Sequence, residues 1–135
     1  MTAIVDTGVL LSLFDVSDAW HQRSVQWIRE AAGELVVPAP ILGELAHFLE
    51  RHGDERTLVG LAEWLLQHRV RVESLLPQDL RRLTVLLPKY PQLGFVDAAM
   101  VAIAERLLID TIATTDRRHF GAIRPGHVER FVLVP

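Results

Sequence analysis

The chain predicts an α/β fold: a parallel sheet with helices on both faces. Three observations predict it. Five short runs read as strands, the stretches between them carry helical periodicity, and half of the residues are apolar against 23% charged. Short strands alternating with helical patterns are joined by crossovers, which lay the strands parallel. At 135 residues the chain has the length of one domain, taken as residues 1–135. A chain this long hides roughly 68% of its unfolded surface, enough for a core. The composition excludes a disordered tail.

The elements follow in order. Ala3, Ile4 and Val5 form the first strand, ended by Asp6, Thr7 and Gly8, and residues 9–14 begin a helix. Ser17 or Asp18 caps a second helix carrying Trp20, Trp27, Ile28 and Ala31. Residues 34–37 read as a strand closed by Pro38, and Pro40 suits a helix's first turn. Ile41, Leu42, Leu45, Phe48 and Leu49 then repeat at helical spacing until Gly53. Asp54 opens a helix with Leu58, Leu61, Ala62, Leu65 and Leu66 on its apolar stripe. Residues 70–73 are a short strand, and 77–87 a helix stopped by Pro88. A turn around Tyr90, Pro91 and Gly94 leads into a helix over 95–108. Strands at 111–114 and 131–134 complete the set.

Charge and composition remove several function classes. Lys and Arg number 14 against 17 acids, a net charge of −3, and Lys89 is the only Lys. A polyanion binder usually carries a basic excess, so RNA or DNA binding here requires local Arg placement or a bound cation. There is no Cys, which excludes disulfides, thiolate zinc sites and Cys nucleophiles and fits a reducing cytoplasm. The first residues lack a basic leader, and no apolar run approaches the ~18 residues of a membrane span. His47 and His52 are not four residues apart, and no HExxH zinc motif occurs. Ser12, Ser17, Ser24 and Ser74 lack the G-x-S-x-G setting of a serine hydrolase, and no phosphate-binding glycine loop is present.

Four acids fall in unusual places. Asp6 and Asp116 follow strands, the end at which parallel sheets bind ligands, and either can also cap the next helix. Glu44 lies at the edge of the apolar arc of its helix, where a flank residue also reaches water. Asp97 is the single charge in LGFVDAAMVAIA, a helix apolar all round and therefore buried. A buried carboxylate needs a positive partner or hydrogen bonds, and first-turn N–H groups are one source. Four carboxylates gathered without a cation repel each other, and some must hold protons. A divalent metal removes the conflict, and all-oxygen ligation suits Mg²⁺ or Mn²⁺.

At these residues the chain resembles the PIN-domain ribonucleases, especially the VapC-like toxins of bacterial toxin–antitoxin pairs. The resemblance rests on IVDTGVLLSLF, PAPILGELAHFL, GFVDAAMVAIAERL and TIATTDRRHF, in that order along nearly the whole chain. It implies a PIN-like three-layer α/β/α sandwich around a parallel sheet of about five strands. It implies Asp6, Glu44, Asp97 and Asp116 as catalytic acids. Asp6, Asp97 and Asp116 would hold Mg²⁺ or Mn²⁺, directly or through water, Glu44 would orient or deprotonate the attacking water or complete the metal shell, and Thr7 and Thr114 would support the site. Gly8 stands where the family often has Asn or Ser. The implied activity is endonucleolytic RNA cleavage, on a tRNA or rRNA, leaving a 5′-phosphate and a 3′-hydroxyl. Arg117, Arg118 and Arg124, with His119, are candidate phosphate contacts, although a solvated basic turn reads the same way. Partners implied are a small cognate antitoxin and a second copy of the chain, in the cytoplasm and away from membranes. Trp20, Trp27 and Trp64 serve either an interface or the core.

Three alternatives are weighed against this. A PIN-like module could bind RNA or protein without turnover. An aspartate-nucleophile phosphatase would use Asp6, but position 8 is Gly where its D-x-D motif needs Asp. A phosphorylated receiver domain fits less well still, because Lys89 sits in a Pro-flanked turn.

Overall fold

β1 (Ala3–Val5) runs through the middle of a five-stranded sheet ordered β3-β2-β1-β4-β5. The other strands are β2 (Leu35–Pro38), β3 (Val70–Glu73), β4 (Thr111–Ala113) and β5 (Val132–Val134), and every pairing is parallel. The computed structural model describes residues 1–68 and 70–135. Every residue of β1, β2 and β4 is buried, so helices cover both faces, while the edge strands β3 and β5 reach solvent. The expected three-layer sandwich is therefore the fold observed.

The helices are α1 (Thr7–Phe14), α2 (His21–Glu30), α3 (Ala39–His52), α4 (Glu55–Gln67), α5 (Pro77–Lys89), α6 (Phe95–Leu107) and the short α7 (Arg117–Gly121). α6 is the most buried: residues 98–104 are all inaccessible, as its all-round apolar sequence requires. No helix among the described residues is long and apolar enough to cross a membrane.

Several local expectations are corrected. α2 starts at His21, and neither Ser17 nor Asp18 caps it. Asp15 and Asp18 instead build turns, with Asp15 accepting from the Ser17 N–H and hydroxyl and Asp18 from the Trp20 N–H. Asx turns of this kind compete with helix, so Trp20 precedes α2. Phe48 is 41% exposed, because α3 buries only the narrower stripe Ile41, Leu45 and Leu49. In α4, Ala62 is exposed and Leu66 is 85% exposed, since Leu58, Leu61, Trp64 and Leu65 face inward. α5 continues through Pro88, whose missing N–H costs one bond in the last turn, and the Tyr90 N–H still reaches Leu86 O. α6 stops at Leu107, and Leu108 turns the chain with φ 57°, the single positive-φ non-glycine residue among those described.

The order β3-β2-β1-β4-β5 creates a switch point. From β1 the chain moves outward through β2 and β3, then crosses back to lay β4 on the other side of β1. The crevice beyond the carboxyl ends of β1 and β4 is where an open α/β sheet binds ligands. Asp6 leaves β1 there, and Thr114 leaves β4.

A candidate acid site at the switch point

Asp6 is held from three sides. Its N–H donates to Ala113 O (2.8 Å), which extends the β1–β4 pairing by one residue. Its Oδ1 accepts from the Thr7 N–H (2.7 Å), the N-cap bond of α1. Its Oδ2 accepts from the Thr114 hydroxyl (2.8 Å). The helix-capping role and the site role thus coexist, one on each carboxylate oxygen.

Thr114 is fully buried and links two of the acids. Its Oγ1 donates to Asp6 and accepts from the Asp116 N–H (2.9 Å). Asp116 then caps α7, accepting from the His119 N–H (3.2 Å), and its Oδ2 lies 2.8 Å from His119 Nδ1. Thr7 does for Glu44 what Thr114 does for Asp6: its hydroxyl donates to Glu44 Oε1 (2.6 Å). Glu44 is otherwise exposed on α3, the flank position its place in the helix predicted.

Asp97 sits half-buried in the first turn of α6, where the Gly94 backbone favours its charged form. The four acids share one electrostatic neighbourhood. Burial pushes Asp6 up from 3.8 to about 6; the bonds from Thr114 and Thr7 oppose this, and the charges of Asp97 and Glu44 add to it. Asp97 is raised as well, by burial first, then by Glu44 and Asp116, against a lowering by His119 and Gly94. Glu44 and Asp97 thus act on Asp6, and Glu44 and Asp116 act on Asp97.

Gly8 has a local reason. A Cβ there would lie 2.4 Å from Thr115 Oγ1, so a side chain at this position would force the threonine to rotate away.

The donors gathered here are carboxylates and hydroxyls, the hard oxygen set that Mg²⁺ and Mn²⁺ prefer. Among the described residues, no three His, Asp or Glu side chains are set to grip an ion directly. The match to a dication is therefore one of charge and donor type, with water left to complete a shell, as Mg²⁺ commonly requires.

Of the candidate phosphate contacts, Arg117, Arg118 and Arg124 are exposed, while His119 is engaged with Asp116. The His119–Asp116 pair was not foreseen in the sequence. Its signal was available: a His three residues after a helix-capping Asp returns to the same side of the first turn. Ser12 and Ser24 are buried, and the Ser12 hydroxyl bonds Ser24 Oγ (2.7 Å), which ties α1 to α2. Trp27 and Trp64 pack against the core, whereas Trp20 meets two arginines.

A parallel sheet of this order with acids gathered at its switch point defines a class, and residues 3–124 match the PIN domain model: the chain belongs to the PIN-domain family. Within that class it is 33% identical to Ribonuclease VapC26 of Mycobacterium tuberculosis, over 98% of this chain and 99% of that protein. Its fold is shared with VapC20 of the same organism, a sarcin–ricin-loop-cleaving toxin, at TM-score 0.78 and 24% identity, covering 98% of this chain and all of that one. It is also shared with VapBC2 of Rickettsia felis bound to a promoter DNA fragment, at TM-score 0.74 and 14% identity (98% and 97% covered). A toxin–antitoxin complex from Klebsiella pneumoniae matches at TM-score 0.70 and 18% identity (96% and 99% covered).

Proposed function

We propose that this protein is a Mg²⁺- or Mn²⁺-dependent endoribonuclease acting as the toxin of a toxin–antitoxin pair in the cytoplasm. The observation that carries the reading is the gathering of carboxylates at the switch point, where Asp97 and Glu44 act on Asp6, Glu44 and Asp116 act on Asp97, and Asp6 is pushed up to about 6. Such a site is short of positive charge, and a dication with a phosphodiester beside it supplies what is missing. The likeness to a ribonuclease along almost the whole chain supports the same reading.

When bound, the cation supplies Lewis acidity, which makes water a competent nucleophile at neutral pH and offsets phosphate charge. Asp6, Asp97 and Asp116 would hold it, directly or through water. Thr114 fixes the Asp6 carboxylate and the Asp116 backbone, so these two acids keep their spacing. Glu44, set by the Thr7 hydroxyl, orients the attacking water and takes its proton on a carboxylate oxygen. The water oxygen bonds to phosphorus as the bond to the 3′ oxygen breaks, and that oxygen takes up a proton. The products are a 5′-phosphate and a 3′-hydroxyl.

The substrate in this reading is a structured RNA, a tRNA or rRNA stem-loop, with Arg117, Arg118 and Arg124 as phosphate contacts. The partners are a small cognate antitoxin, which would cover the acid site, and a second copy of the chain.

The test is purified protein incubated with cellular RNA and Mn²⁺. Cleavage that stops on chelation and in Asp97→Asn is expected. Undiminished cleavage by Asp97→Asn would place the activity in a contaminant, and RNA binding without cleavage would favour a non-catalytic module.

A further inference from the structure

Gly8 is the one residue of α1 without a side chain, and a glycine inside a helix weakens it relative to alanine. Its bare Cα makes room for Thr115, whose Oγ1 would lie 2.4 Å from a Cβ at position 8. Thr115 stands on the corner between β4 and α7, flanked in the chain by Thr114 and Asp116. Gly8 stands in the first turn of α1, two residues after Asp6. The contact therefore puts the Thr115 hydroxyl across the mouth of the switch point, between the two corners that carry Asp6 and Asp116. The neighbouring hydroxyls are spent: Thr7 donates to Glu44 and Thr114 donates to Asp6. Thr115 is half-buried, forms no hydrogen bond among the described residues, and its Oγ1 reaches solvent.

We infer that Thr115 is a further catalytic residue of the acid site, its hydroxyl donating a hydrogen bond to a non-bridging oxygen of the RNA phosphodiester being cleaved. The inference rests on the RNA-cleaving reading above. Ionised carboxylates only accept hydrogen bonds, and so do phosphate oxygens. A crevice built from acids therefore needs a donor for the phosphate besides the cation, and Thr115 is the hydroxyl there whose proton is uncommitted. As a β-branched side chain it is stiff at χ1, so the donor is set before RNA arrives. Such a preset donor acts more strongly on the charge that gathers on the phosphate oxygens in the transition state than on the resting diester. Gly8 completes the arrangement, because a Cβ at position 8 would turn the hydroxyl away.

The experiment measures single-turnover cleavage, in saturating Mn²⁺, of an oligonucleotide copied from a cleavage site mapped in cellular RNA. Thr115→Val is expected to slow cleavage about 10- to 100-fold, the worth of one hydrogen bond to a charged acceptor. Its melting midpoint and its calorimetric Mn²⁺ affinity are expected to match the parent. Thr115→Ser should recover most of the rate, and Gly8→Ala should lose rate as Thr115→Val does. Sulfur in place of one non-bridging oxygen, a weaker acceptor, should slow the parent more than Thr115→Val for one of the two diastereomers. A merely structural role would leave the two sulfur effects equal. Parental cleavage by Thr115→Val would overturn this inference while the ribonuclease reading stands. So would a rate loss with equal sulfur effects, or one explained by weakened Mn²⁺ affinity, which would assign the hydroxyl to the water around the cation. If the unsubstituted protein cleaves no RNA, both readings fall.

Discussion

Asp6 shows how a single buried side chain weighs on stability. Its carboxylate is buried beside two other acids, so ionisation costs the fold more than it costs the open chain. With the folded value at about 6 and the unfolded value at 3.8, the cost above pH 6 is roughly 3 kcal/mol. The folded state keeps a proton that the unfolded chain has lost between about pH 4 and 6. Acidification from pH 7 through 6 should therefore stabilise the cation-free protein, and Asp97, raised in the same direction, adds to the effect. Melting followed from pH 7.5 to 5 should show a rise that saturating Mn²⁺ abolishes. In Asp6→Asn the rise should shrink, neutral-pH stability should increase by about 1–3 kcal/mol, and cleavage should cease. A companion change, Thr114→Val, deletes a donor that lowers Asp6 and an acceptor for the Asp116 N–H. It should cost about 1.5–3 kcal/mol and move the acidic limb of the pH–rate profile to higher pH.

Among the elements, one ion network sets the position of the helix that carries Asp97. Arg106, near the end of α6, donates from Nε to Asp79 on α5 (2.9 Å) and from a terminal nitrogen to Glu73 on β3 (2.8 Å). Asp79 is 1% exposed and also accepts from the Leu76 N–H, completing the start of α5. Arg71 closes the outer side of Glu73 at 2.9 Å. Removing one partner of such a buried set strands the others. Arg106→Leu should lose about 3–5 kcal/mol in denaturant unfolding, and the double change Arg106→Leu with Asp79→Leu should recover part of it. The same scale explains where sequence patterns misled. Helical spacing marked Phe48 and Leu66 as core, yet both are exposed, because a flanking helix buries only the stripe its neighbours cover. Pro88 read as a stop, but a proline in the final turn removes only one bond.

The whole molecule joins an acidic net charge to a site that works on a polyanion. In the proposed reading, a dication at the acid site would offset part of that charge. If the cation binds the folded chain alone, Mn²⁺ at about 100 times its Kd should contribute ~2.7 kcal/mol and raise the melting midpoint by the order of 10 °C. An Asp6→Asn, Asp97→Asn double variant should show little of this shift, which differential scanning calorimetry would measure.

The alternation of strand runs and helical stretches determined the fold class, because the runs that became β1, β2 and β4 are too short and too apolar to rest anywhere but inside a covered parallel sheet. The placement of Asp6, Glu44, Asp97 and Asp116 against that alternation also marked the acids, since a charge inside or at the edge of a buried element demands an explanation. The tertiary structure alone decided how those acids are held. Thr114 bonding Asp6 and Thr7 bonding Glu44 are contacts across the switch point, and no local propensity encodes them. The meeting of Trp20, Arg23 and Arg117 is of the same kind. Helix and strand periods are properties of a chain segment, whereas hydrogen bonds and charge coupling between segments depend on a distance that exists only after the β4 crossover has closed.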